Sequence, residues 1–180
     1  MLMNTHFQIA KSVLENMDEK KAVLISEKNF VYGNVKPDAF SKYKLKKHYM
    51  EESFNMIIEK IKYLCSLTLE SLSKVFSTSR LSQELGVICH KHSMNKHVIY
   101  ERELAAKAKE TDLVKIKGDR DIKEGEFESF FNTLYSQYKS NGNYIENDLK
   151  FSTYVCNSVT DFVLGSILSN SNANAGLQIA

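Results

Sequence analysis

HYMEESFNMIIEKIKYLCSL, residues 48–67, carries Phe54, Ile57, Ile58, Ile61, Leu64 and Cys65 at steps of three and four. That spacing puts all six on one side of an α-helix and leaves the intervening Glu, Lys and Asn for the other side, so the stretch predicts an amphipathic helix. The same periodicity recurs along the chain. A first helix is expected from about Thr5, with Phe7, Ile9, Ala10, Val13 and Leu14 as its apolar stripe and Asn4 or Thr5 as its cap. A short helix over 19–29 follows, capped by Asp18, and then FVYGNVKPDAF (30–40), which holds the only proline and reads as a loop.

Beyond residue 67 the pattern predicts helices over 68–76, 81–109, 127–139 and 144–168. DLVKIKGDRDIKEGE (112–126) is charged and contains glycine, so a mobile loop is expected there. SNSNANAGLQIA, from 169 on, is small and polar. The expectation is an all-α chain with one helical domain over 1–170 and a disordered tail over 171–180, with no internal repeat and no strand pair.

Composition agrees. One proline and seven glycines in 180 residues leave few chain breakers. A length of 180 residues suits one domain that buries about two-thirds of its unfolded surface. A net charge of +2 is too small to argue for nucleic acid by itself. Cys65, Cys89 and Cys156 are odd in number and far apart, which reads as buried free thiols in a reducing compartment. There is no secretory leader pattern at the start and no apolar run near the ~20 residues of a membrane span. A cytoplasmic location is expected.

The chemically informative residues are histidines. ICHKHSMNKHVIYERELA (88–105) holds His90, His92 and His97, with Glu101 four residues after the last. On one helix His90, His97 and Glu101 share a stripe, while His92 points roughly 160° away. An i, i+4 His/Glu pair suits one divalent ion. His90, about 10 Å along the axis from His97, would need another ion or none. Against this, histidines flanked by Lys91 and Lys96 also suit a solvated helix face.

Five segments in order, THFQIA (5–10), GNVKPD (33–38), KKHYMEESF (46–54), LGVICH (85–90) and HVIYERELA (97–105), resemble the zinc-dependent phospholipase C family, whose helical fold is shared with S1/P1 nucleases. The resemblance is to clostridial-type cytoplasmic members. It implies up to three zinc ions between helices, acting on phosphodiester bonds. Carried over by position, it implies His6, Asp38, His48, His90, His97 and Glu101 as metal ligands, with Asp38 also accepting the proton of the attacking water. His92 matches no ligand position.

The chain departs from the family after His90. Family members continue with an aspartate four residues on and a further histidine, but here Met94 stands at the aspartate's place and six residues separate His90 from His97. A thioether is a poor zinc ligand and cannot bridge two cations as a carboxylate does. Three readings therefore stand. The first is a zinc-dependent phosphodiester hydrolase, cleaving phospholipid head groups or a smaller phosphodiester. The second is a weak or inactive relative that lacks the bridging carboxylate. The third is an all-α interaction module, for which the lysine-rich KYKLKKHY (42–49) could meet phosphate.

Overall fold

The structure is a computed structural model and describes residues 3–39, 50–74, 77–91, 98–141 and 144–177. Among these residues the regular elements are all helical, in agreement with the all-α expectation. They are α1 (Met3–Asn16), α2 (Glu19–Ala22), α3 (Glu27–Ala39), α4 (Met50–Cys65), α5 (Leu69–Lys74), α6 (Thr78–Lys91), α7 (Val98–Glu110), α8 (Phe127–Ser140) and α9 (Ile145–Leu177).

The long helix α9 is the spine. At ~1.5 Å per residue its 33 residues run about 50 Å, and α1, α4, α5, α6 and α7 all pack on it. Surrounded in this way, it buries residues on more than one face: Leu149, Val155, Val159, Val163 and Ile167 together with Ser152, Thr153, Asn157, Ser158 and Thr160. Two of these polar residues, Ser158 and Asn157, find partners within the helix, while Ser152 Oγ and Thr153 Oγ1 have none among the described residues. Ser158 Oγ donates to Tyr154 O at 2.8 Å, and Asn157 Nδ2 to Thr153 O at 3.0 Å. Residues 171–177, expected as an unstructured tail, continue the helix. Its end is held because Asn170 Nδ2 donates to Cys65 O (2.8 Å) and Leu69 N donates to Ser171 Oγ (2.9 Å).

The helix predicted by 48–67 is α4, and Ile57, Ile58, Ile61, Leu64 and Cys65 are buried as its spacing requires. Two other expectations are corrected. Residues 30–39 are helical, not a loop: α3 runs through Pro37 in its last turn. A proline there lacks the N–H that would reach Gly33 O, a loss of one bond near a helix end that packing of this face can offset. The segment 112–126 is not a free loop either. Asn157 Nδ2 donates to Ile116 O at 3.1 Å, Asp119 N donates to Ser158 Oγ at 2.8 Å, and Leu113 is buried. The helix expected over 81–109 is matched on both sides, by α6 and α7; residues 92–97 lie outside the described residues.

α3 and α6 make the closest helix pair. Ser26 N donates to Ser82 Oγ at 2.8 Å, and His90 Nδ1 meets Asn34 O at 2.7 Å, both pairs 56 residues apart. Constant separation in number means the two helices run in the same direction in one register. Between those contacts the backbones touch through glycine. A Cβ on Gly86 would lie 2.3 Å from Phe30 O, and a Cβ on Gly33 would lie 2.3 Å from Gln83 O.

Candidate functional site

The site is built where α1 meets the end of the α3/α6 pair. His6 of α1 and His90 of α6 are 1% and 4% exposed, and their rings stack with centroids 4.2 Å apart and planes 25° from parallel. They lie 84 positions apart in sequence and are brought together only by the packing of α1 on α3 and α6.

Local sequence explains each placement. Ile9, Ala10 and Val13 turn one face of α1 inward, and Thr5, His6 and Ser12 are buried on the same side. Ser12 satisfies itself by donating to Ile9 O at 3.0 Å. Phe7, expected in the apolar stripe, is instead 55% exposed, and Met3 one turn earlier is 53% exposed. On α6, Leu81, Leu85, Ile88 and Cys89 are buried, and His90 follows at the end of that buried face.

The chemistry of His90 is set by its partner. A carbonyl oxygen has no hydrogen to give, so the 2.7 Å contact requires His90 Nδ1–H to donate to Asn34 O. The lone pair of the neutral ring is then on Nε2. An imidazole whose Nδ1–H is held by a backbone carbonyl is oriented to use Nε2 as a metal ligand.

Two further oxygens are buried close by in the chain: Thr5 Oγ1, next to His6, and Asn34 Oδ1 have no hydrogen-bond partner among the described residues. Buried oxygens without partners are costly unless something else satisfies them. Imidazole nitrogen is an ordinary zinc donor, so two buried histidines are of a type that zinc takes as ligands. Two donors fall short of the three or four protein ligands of a zinc site, and the 4.2 Å stacking is a contact between ring faces.

Of the six residues expected as ligands, the described structure brings together His6 and His90. His48 and His97 lie outside the described residues, as does His92. Asp38 sits on α3 and Glu101 on α7, but their side chains are also outside what is described. Among the described residues no group of three or more His, Cys, Asp or Glu is close enough to hold an ion.

Asn34 escapes a reading of residue types because it acts through its backbone; its place within GNVKPD was the only signal. The three cysteines are buried and none is joined in a disulfide, as expected. Burial, and then the neighbouring Cys89, pushes the Cys156 thiol well above its ordinary value, which suits inert packing rather than reactivity. No helix among the described residues is long and apolar enough to cross a membrane.

The model of a family described as zinc dependent phospholipase C matches residues 5–90. The match includes positions 6, 38, 48 and 90, ends on the histidine after which the chain departs from the family pattern, and does not reach 97 or 101. No curated protein and no solved structure matches the chain.

Proposed function

Since residues 5–90 match the model of the zinc-dependent phospholipase C family, we propose that this chain is a zinc-dependent phosphodiester hydrolase acting on phospholipid head groups. The observation that carries the reading is the buried, stacked pair of His6 and His90, with His90 oriented by Asn34 O. The residues proposed to hold zinc are His6, Asp38, His48 and His90, all within the matched segment, with His97 and Glu101 as a further pair beyond it. Bound zinc supplies a water acidic enough to be hydroxide near neutral pH and a Lewis acid for a phosphoryl oxygen.

The chain's own residues do the rest. His90 is held in one tautomer by a fixed carbonyl, which spares the cost of choosing it on binding. Burial of both rings keeps bulk water from competing at the site. Asp38 is the proposed general base, its carboxylate taking the proton of the attacking water. Met3 and Phe7 flank His6 on α1 and are half exposed, which provides apolar surface where acyl chains would lie.

A second reading has a specific observation behind it. Met94 stands where a bridging aspartate belongs, and the family match stops at 90. On that reading the chain keeps the fold and zinc but has little turnover.

The test is release of phosphorylated head group from phosphatidylcholine vesicles by zinc-loaded protein, beside His6→Ala and His90→Ala. Turnover that both substitutions remove supports the hydrolase. Zinc binding without turnover favours the weak relative, and absence of zinc binding after reconstitution overturns both.

A further inference from the structure

Three contacts at intervals of four residues line up along the α3/α6 interface: Ser26 with Ser82, Phe30 with Gly86, and Asn34 with His90. The middle one sets how near the helices come. A Cβ at position 86 would fall 2.3 Å from Phe30 O, 2.7 Å from Asn34 N and 2.9 Å from Gly33 C, all rigid backbone atoms. Any larger residue there has to part the helices. The contact one turn further on, His90 Nδ1 to Asn34 O at 2.7 Å, has little room for that. A separation of about 1 Å takes it past hydrogen-bonding distance.

We propose that the backbone carbonyl at position 34 is the positioning group that selects the Nε2 lone-pair tautomer of His90, and that the Gly33–Gly86 contact is what brings it into reach. The consequence for zinc rests on the function proposed above; the tautomer itself is a property of the metal-free chain. The role belongs to the backbone rather than to the amide of Asn34. The side-chain nitrogen of Asn34 turns back along its own helix, donating to Phe30 O at 3.4 Å. Asn34→Ala therefore keeps the carbonyl, whereas Gly86→Ala displaces it.

The experiment uses full-length protein carrying 15N-histidine, free of metal, at pH 8, with a His90→Gln sample to identify the ring signals. The expected spectrum has the proton of His90 on Nδ1, in Asn34→Ala as in the parent. Gly86→Ala is expected to show mixed tautomers. Its zinc dissociation constant, from competition with a chromogenic chelator, should rise by about 10–100-fold, with Asn34→Ala unchanged.

A proton on Nε2 in the metal-free parent overturns the proposal. So does a folded Gly86→Ala that keeps both the parent tautomer and the parent zinc affinity. If Gly86→Ala does not fold, the parent spectrum alone decides. A parent with the expected tautomer but no affinity for zinc leaves the positioning role standing and removes the hydrolase reading instead.

Discussion

Asp18 closes the first turn of α2 with an extended backbone and a side chain that accepts from Lys21 N at 3.0 Å. Slight burial acts to raise its pKa. The amide hydrogen bond from Lys21 and the charge of that lysine outweigh it and hold the carboxyl below its ordinary 3.8. A folded-state pKa below the unfolded one means that the stabilisation is complete above about pH 4 and is lost as pH falls through the lower value. Asp18→Ala should cost about 1 kcal/mol at pH 7, and less at pH 3. Asp18→Asn keeps the cap acceptor, so its urea midpoint should fall less than the parent's between pH 5 and pH 3. Equal falls in the two proteins would show that this carboxyl carries no linkage.

At the same scale, His6 and Phe7 show what residue type alone conceals. An apolar count assigns Phe7 to the core and ignores His6, yet His6 is 1% exposed and Phe7 55%. The histidine is buried because a second histidine from α6 stacks on it, and no local pattern in THFQIA encodes that partner.

Among the elements, α4, α8 and α9 were legible because their apolar residues repeat at helical spacing and face a core. α3 was not, because Pro37 and Gly33 are breakers by type. In place, Gly33 is a contact surface for Gln83, and Pro37 stands where a missing amide costs one bond. The segment 112–126 was misread for a related reason. Its charged residues mark it as solvent-facing, while its anchors are its own Ile116 carbonyl and Asp119 amide.

Glycine substitutions separate these cases. A Cβ on Gly118 would lie 2.3 Å from Ser158 N and 2.6 Å from Asn157 C, so Gly118→Ala should destabilise by about 1–3 kcal/mol. Gly165, within α9, meets nothing nearer than Lys21 Nζ at 3.8 Å, so Gly165→Ala should stabilise by about 0.5–1 kcal/mol. Urea unfolding of both variants checks the pair. Similar signs for the two would refute the close approach of the 112–126 segment to α9.

For the molecule as a whole, a ligand held between α1, α3 and α6 should report on the entire cooperative unit. If zinc binds the His6/His90 site of the folded chain alone, zinc at a hundredfold over its dissociation constant stabilises by about 2.7 kcal/mol. That corresponds to roughly 5–10 °C in Tm for a chain of this size. A chelator should lower the Tm of the purified protein by a shift of that order, zinc should restore it, and His90→Ala should respond to neither. A shift that persists in His90→Ala would move the ion elsewhere.

The sequence by itself determined the helical class, most of the helix positions, the burial of the cysteines and the order of family-like segments, because period and composition are local properties of the chain. Tertiary structure decided that α3 stays helical through its proline, that two glycines bring parallel helices into backbone contact, and that His6 and His90 stack. Those facts depend on atoms of residues about 50 to 85 positions apart, on a carbonyl that every residue type possesses, and on space too small for a Cβ. None of these is written in the identity of a single residue.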